Sequence, residues 1–446
     1  MPIVVTSADS PLTHRVILGI AVPIMLSNVS TPLIGVVDTA VVGRIPDPAY
    51  IGAAAIGGLI FTFVFWGFGF LRMGTTGLTA QALGARNVPE LATILGRALL
   101  LALAAGIALI VLKWPLRECA FAAVHASARV EDLGRGYFDI RIWAAPATLA
   151  NYALLGWFIG LGRTHIGLIL QLILNLTNMA LDMVFVLGFG WDVRGVALGT
   201  LIAEYSAAVV GVAIAARHVR AMGGRWSVGQ ILAPAQLKRT FAVNGDIMIR
   251  SLALIGAFFW FASQGARQGD VILAANSILL QFISVAAYFL DGLAFATEAL
   301  VGRAIGAAHR AGLALAVKMT TAWAAGTAAL ICIALLLLGP WIIDQLTVDF
   351  TARAAARTYL PWAAAAPLLG VWAFQLDGIF IGATQTADMR NAMLVSLAIF
   401  LAAWWLLRPW GNHGLWAAFY VHYLARTGTL LYCYPKLARR VPDGGS

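Results

Sequence analysis

The stretch TTGLTAQALGA, residues 75–85, has a close copy later in the chain. It returns 222 residues on as TEALVGRAIGA, residues 297–307, and GWFIG at 156–160 returns at the same spacing as GIFIG at 378–382. Ile34-Gly35 matches Ile255-Gly256 at a spacing of 221. Several matches at nearly one spacing indicate an internal duplication, so the chain is expected to form two related halves.

The composition indicates that these halves are embedded in lipid. Hydrophobic residues make up 61% of the 446 residues and charged residues only 11%, whereas a soluble domain carries about 25% charged residues. Twelve apolar runs are long enough to cross ~30 Å of hydrocarbon: 16–43, 51–82, 92–114, 137–160, 166–189, 195–217, 241–263, 271–302, 313–338, 356–382, 391–409 and 414–434. Runs this long satisfy their backbone hydrogen bonds only as helices. We therefore predict an all-α polytopic membrane protein with twelve transmembrane helices.

The spacing of the repeat also predicts the symmetry. Six spans separate equivalent positions, so the two six-helix lobes share one orientation and are related by a pseudo-twofold axis along the membrane normal. The predicted domains are an N-terminal lobe at 1–217, a cytoplasmic linker at 218–240 and a C-terminal lobe at 241–446. Such a bundle suits alternating access, with substrate bound near the bilayer midplane.

Basic residues predict the orientation. The longest basic connection follows the sixth span and carries Arg217, Arg220, Arg225, Lys238 and Arg239. By the positive-inside rule this side is cytoplasmic, and an even number of spans puts both termini there. Five arginines oppose the trend, namely Arg117, Arg129, Arg135, Arg353 and Arg357. The net charge of +10 is assigned to lipid contact and orientation rather than to nucleic acid.

Nothing in the sequence predicts an enzyme, a metal site or a cofactor. The three cysteines, Cys119, Cys332 and Cys433, lack metal or redox spacing, and we find no catalytic motif. Residues 1–15 lack a signal-peptide pattern, so the first span is expected to be retained.

Polar residues inside the first-lobe spans predict a site. A carboxylate there costs about 2.5–3.5 kcal/mol on insertion scales. Asp38 follows Pro23 and Pro32 in the first span, and either proline can bend a helix. Asn178 and Asp182 share one face of the fifth span, and Thr200 in the sixth could add a hydroxyl, with Glu204 one turn on.

Two carboxylates in contact cannot both ionise cheaply in a low dielectric, so Asp38 and Asp182 would titrate as a unit. This predicts a proton-binding site. The alternatives are that Asp38 reaches the interface and pairs with Arg44, and that Asp182 belongs to a static hydrogen-bond cluster.

The second lobe offers a weaker candidate. Asp377 precedes Gly378 in the tenth span, which makes Asp377 a candidate cation or substrate site, with a structural role as the alternative. Asp246 and Arg250 are four apart and are expected to neutralise one another.

Four stretches carry a family resemblance. PLIGVVDTAVVG (32–43), FLRMGTTGLTAQA (70–82), LDGIFIGAT (376–384) and GNHGLW (411–416) resemble the multidrug and toxic compound extrusion (MATE) family, in its DinF (DNA-damage-inducible protein F) branch. The resemblance implies cation-coupled efflux. It places the cation-binding cluster on Asp38, Asn178, Asp182 and Thr200, and the bending proline on Pro23. Asp377 resembles an acid of the second-lobe cation site in other branches.

We therefore expect a monomeric antiporter of a bacterial inner membrane that exports amphiphilic, often cationic compounds. The coupling ion is expected to be a proton, with sodium as the alternative. A second hypothesis is a lipid or lipid-linked-sugar flippase, for which Arg72 and Arg250 are the in-span arginines that could bind a headgroup. A third is a membrane sensor or scaffold without transport, which leaves the buried acids unexplained.

Overall fold

The computed structural model describes residues 12–123 and 126–442, and every regular element in these ranges is a helix. Eleven helical stretches of this part are long and apolar enough to cross a membrane. One of them, Thr386–Arg439, has 54 residues, or about 80 Å at the helical rise. It contains two helices joined by a 3₁₀ turn at Arg408–Trp410, so the count of spans becomes twelve and the predicted fold class is confirmed. Residues 1–11, where no signal peptide is predicted, lie outside the described ranges.

The first compact unit is Leu26–Phe241. Its elements are α1 (His14–Val42, from residue 26 on), α2 (Pro48–Trp66), α3 (Phe70–Gly84), α4 (Val88–Val111), α5 (Lys113–Ala123), α6 (Ala128–Arg141), α7 (Ala145–Gly160), α8 (Thr164–Asp182), α9 (Val193–Ala221), α10 (Val228–Ile231) and the start of α11 (Pro234–Ala266). The predicted span 51–82 is interrupted between α2 and α3, where Gly67 and Gly69 end one helix and begin the next. The span 137–160 is likewise shared by α6 and α7, joined through a 3₁₀ turn at Ile142–Ala144.

The second compact unit consists of residues 12–25 and 242–442. It contains the first part of α1, the rest of α11, and α12 (Asp270–Gly306), α13 (Arg310–Leu346), α14 (Phe350–Gly382), α15 (Thr386–Leu407) and α16 (Gly411–Arg439). Its core is aromatic, with the Phe261 ring 4.9 Å from Trp416 and 5.1 Å from Phe419.

Close glycine contacts repeat in the two units. A Cβ atom at Gly156 of α7 would lie 2.3 Å from the Arg72 carbonyl oxygen of α3, and one at Gly160 would lie 2.7 Å from that of Thr76. In the second unit a Cβ atom at Gly378 of α14 would lie 2.6 Å from the Ala294 oxygen of α12, and one at Gly382 would lie 2.5 Å from that of Glu298. Both contacts of the first unit recur in the second at the spacing of 222, so the duplicated sequence forms the same small-residue helix packing twice.

Helix α1 contributes to both units. Residues 12–25 pack in the second unit, where a Cβ atom on Gly292 would lie 3.0 Å from the Ala21 oxygen. From Leu26 the helix packs in the first unit, so the change falls just after Pro23. The helix is continuous through Pro23 and Pro32. Packing assigns the start of α1 to the second unit, whereas the predicted lobes divide the chain by its sequence repeat. The lobe limits 1–217 and 241–446 therefore stay a prediction.

The arginines that oppose the charge trend are bonded to acidic side chains or to backbone carbonyl groups. Arg117 bonds Asp139 at 2.7 Å, Arg129 bonds Asp47 at 2.7 Å, Arg135 bonds Glu118 at 2.6 Å and Arg357 bonds Asp344 at 2.5 Å. Arg353 donates to the Thr347 and Asp344 carbonyl oxygens at 2.6 and 2.7 Å. The Ala49 amide and the Arg129 guanidinium lower the pKa of Asp47, and Arg135 lowers the pKa of Glu118. Each of these five arginines therefore has a local partner in the described ranges.

Candidate functional site

The structure brings the four predicted first-lobe residues together, and we call Asp38, Asn178, Asp182 and Thr200 the oxygen cluster. The carboxyl groups of Asp38 in α1 and Asp182 in α8 lie within hydrogen-bonding distance of each other. Asn178 and Asp182 are fully buried, Thr200 is buried and Asp38 is partly buried. The charged groups that act on Asp38 are Asp182 and Arg141, so the alternative of pairing with Arg44 is not what the structure shows.

Hydrogen bonds fix the orientation of the Asn178 amide. Thr200 donates its hydroxyl hydrogen to the Val196 oxygen at 2.9 Å, so it can only accept from Asn178 Nδ2, which lies 3.1 Å away. Asn178 Oδ1 therefore points elsewhere, and it joins Asp38 Oδ1 and both Asp182 oxygens as buried acceptors without a donor. Leaving a buried acceptor unpaired costs about 1–3 kcal/mol.

The chemistry of these four oxygens suits a small cation. One proton on either carboxyl turns an acceptor into a donor and pairs the two acids. A hard metal cation, which prefers carboxylate and amide oxygens, is the other species that such a set could hold.

Three local features place the two acids, Asp38 and Asp182, in register. Asn175 Nδ2 donates to Ser30 Oγ at 3.1 Å and to its backbone oxygen at 3.2 Å, which ties α8 to α1 two turns before the acids. Immediately after Asp182 the helix widens into a π-helix, Met183–Gly188, a feature common at functional sites. A Cβ atom at Gly199 of α9 would lie 2.4 Å from Asp182 Oδ1, so only glycine leaves room for that carboxyl group.

A second set of polar residues adjoins the oxygen cluster, and most of it was missed from the sequence. Arg141 of α6 donates from Nη2 to Glu204 Oε1 at 3.4 Å, and Asn151 donates to Glu204 Oε2 at 2.8 Å. Arg141 and Glu204 are both buried. The sequence could have indicated Arg141, because it lies inside the predicted span 137–160, where inserting an arginine into the membrane costs as much free energy as inserting an acid. Gly199 gave no signal among 45 glycines.

Pro23 is not part of the oxygen cluster. It lies 15 residues before Asp38 on α1, or about 22 Å along the helix. Its role as a hinge stays a prediction.

In the second unit the ion pairs differ from those expected. Arg250 and Arg426, both buried, donate to the same oxygen of Asp377. Asp246 instead accepts from Arg390 at 2.6 Å and from Thr386 at 3.0 Å. The expected neutralisation of Asp246 by Arg250 is therefore wrong, because both residues find better partners on other helices. Two guanidinium groups beside Asp377 repel a further cation, which favours the structural alternative for this acid.

The second unit has no acids at the positions equivalent to Asp38 and Asp182. The residues 222 positions after Asp38 and Asp182 are Trp260 and Trp404, and their rings meet edge to face with centroids 5.2 Å apart. Equivalent places thus hold a polar pair in one unit and an aromatic pair in the other.

Comparisons with known proteins agree with this duplicated bundle. The MatE family model matches two segments, residues 23–184 and 247–410. DNA damage-inducible protein F of Escherichia coli (strain K12) is 40% identical over 427 residues, covering 96% of this chain and 92% of that protein. A probable multidrug resistance protein NorM of Bradyrhizobium diazoefficiens is 28% identical, covering 95% of this chain and 93% of that protein.

Solved structures show the same fold at low sequence identity. A crystal structure of MATE in the bent conformation superposes with a TM-score of 0.85 at 17% identity and covers 95% of both chains. An outward-facing multidrug resistance MATE family transporter of the MOP superfamily gives 0.85 at 17% identity, covering 95% of this chain and 96% of that one.

Proposed function

The chain belongs to the MatE family, and from that premise we propose that it is a proton-coupled antiporter exporting amphiphilic, often cationic compounds. Members of this family are transporters rather than enzymes. The family resemblance seen in the sequence is thereby confirmed. The proposal adds the coupling ion, its site and the bacterial inner membrane as the location.

The set of unpaired oxygens in the first unit is the observation that carries the proposal. Four buried acceptors around Asp38 and Asp182 have no donor among the described residues. In a low dielectric the two acids cannot both be charged without a compensating cation, and one shared proton removes that penalty. The site therefore favours one bound proton when it is closed and releases it when water reaches the carboxylates.

Helix α1 offers a route from proton binding to movement. Asp38 lies in the part of α1 that packs in the first unit, whereas residues 12–25 pack in the second. A change in how Asp38 is held therefore acts on a helix that is divided between the two units, as α11 also is. We assign the bend to Pro23, which lacks a backbone N–H and so weakens the helix near this division.

The membrane potential supplies enough energy to export a neutral compound. One charge crossing the membrane yields about 2.3 kcal/mol per 100 mV. Since 1.4 kcal/mol is about tenfold, one proton could sustain about a fifty-fold gradient of a neutral compound.

The orientation follows from the basic linker. Arg217, Arg220, Arg225, Lys238 and Arg239 flank the end of α9 and the start of α11, and we place this side in the cytoplasm with both termini. The protein is proposed to act as a monomer.

The flippase alternative has less support. It needs an arginine free to bind a lipid headgroup, and Arg250 is buried and paired with Asp377.

Imposing proton and sodium gradients separately tests the coupling ion. Proteoliposomes holding a fluorescent cationic dye are given either a pH gradient or a sodium gradient of equal size, directed against the dye flux. We expect the pH gradient alone to accelerate dye transport over protein-free liposomes. Acceleration by sodium at uniform pH, or none by either gradient, would contradict the proposal.

A further inference from the structure

Arg141 is a buried cation held loosely beside the oxygen cluster. Its hydrogen bond to Glu204 is long, with Nη2 3.4 Å from Oε1, and its Nη1 atom is buried without a partner. The Phe61 and Phe65 rings lie 5.5 and 5.4 Å from its guanidinium carbon, and aromatic faces stabilise a cation without fixing its direction.

Titratable groups on several helices surround it. Asp38 of α1 and the Tyr137 hydroxyl of α6 lie within electrostatic reach of the guanidinium, and Asp182 of α8 completes the acid pair. The Tyr152 hydroxyl of α7 lies within electrostatic range of Glu204, of Arg141 and of Arg72, which belongs to α3. With one proton on the acid pair, the remaining charge of that pair and the charge of Glu204 are balanced by Arg141 and Arg72. The group is then neutral.

Loss of that proton leaves one uncompensated negative charge on the acid pair. We propose that Arg141 is the specificity-determining residue of the transport site: it turns from Glu204 to Asp38 when the proton leaves, and so occupies the place a sodium ion would take. This inference rests on the proposed proton coupling. After the turn Glu204 loses the donor to Oε1 but keeps Asn151, whose Nδ2 donates to Oε2 at 2.8 Å and to the Glu204 carbonyl oxygen at 3.0 Å.

An internal guanidinium excludes sodium for a simple reason. A sodium ion bound between Asp38 and Asp182 would lie close to the Arg141 charge in a poorly screened interior, where like charges repel strongly. A proton forms a covalent O–H bond on one carboxyl and adds no separate ion. The arginine therefore penalises sodium more than it penalises a proton.

The test compares Arg141→Gln with Arg141→Lys and with the double variant Arg141→Gln/Glu204→Gln, which removes both members of the pair. We measure dye flux driven by sodium at uniform pH, and the thermal midpoint of purified protein in sodium against choline. For wild type and Arg141→Lys we expect no sodium-driven dye flux and the same thermal midpoint in sodium and in choline. We expect Arg141→Gln and the double variant to gain sodium-driven flux about tenfold over the wild-type background, with a raised midpoint in sodium.

Outcomes separate this inference from the proposed function. Sodium-driven flux in the wild type would contradict the proposed proton coupling itself. Proton-driven wild type, with both glutamine variants insensitive to sodium in flux and midpoint, would overturn only the role of Arg141. If Arg141→Gln does not yield monodisperse protein, the charge-balanced double variant decides by the same two readouts.

Discussion

Asp38→Asn and Asp182→Asn are each expected to reduce proton-driven dye efflux to the level of protein-free liposomes. Asparagine has the shape of a carboxyl group but cannot gain or lose a proton. A transporter whose only coupling proton resides on this acid pair then loses its driving force. The effect should be the largest of any single substitution in the first unit that leaves the fold intact.

Stability is expected to survive these two changes. The new amide group is a donor among four buried oxygens that lack one, so it satisfies acceptors rather than orphaning them. Asp132→Asn is the matched control, because Asp132 is an exposed acid of α6 and its loss should leave efflux unchanged. Wild-type efflux in either cluster variant would refute the assignment of the site.

The second large effect concerns stability. Gly156→Ala is expected to lower the free energy of unfolding by about 3 kcal/mol or more, at the upper end for overpacked cores. The added Cβ atom would lie 2.3 Å from a backbone oxygen of α3, and no rotamer change can relieve a contact with backbone.

The matched control for this change is Gly58→Ala in α2, where a Cβ atom meets nothing within 4 Å. Alanine favours a helix over glycine by about 1 kcal/mol, so the control should be neutral or stabilising. Thermal midpoints of the purified variants in detergent give the comparison. Gly378→Ala should behave like Gly156→Ala, and equal midpoints for Gly156→Ala and Gly58→Ala would show that the helices are not packed as described.

Much of the fold could be predicted because it depends on local composition and on the duplication. Apolar length fixed the spans, and the glycine repeats at 156–160 and 378–382 correspond to equivalent close contacts. The breaks between α2 and α3 and at Ile142–Ala144 were missed, since apolar residues continue through them. The division of α1 after Met25 depends on packing with distant helices, which hydropathy does not report.

The site was predicted unevenly for a similar reason. Asn178 and Asp182 share a helix face, so their proximity follows from the helical period. The same rule failed for Asp246 and Arg250, because Arg390 and Asp377 on other helices compete for them. Arg141 and Gly199 act through contacts across helices, and no spacing within one helix predicts such contacts.

Infrared difference spectroscopy of the carboxyl groups during a pH titration tests the central claim most directly. The surface acids Asp47 and Glu118 interfere little, because the Ala49 amide and Arg129 lower the pKa of Asp47 and Arg135 lowers the pKa of Glu118. We predict that wild type shows a buried protonated carboxyl that ionises as pH rises, and that Asp38→Asn and Asp182→Asn each abolish this titration. The same titrating signal in both variants would place the coupling proton elsewhere and contradict the account.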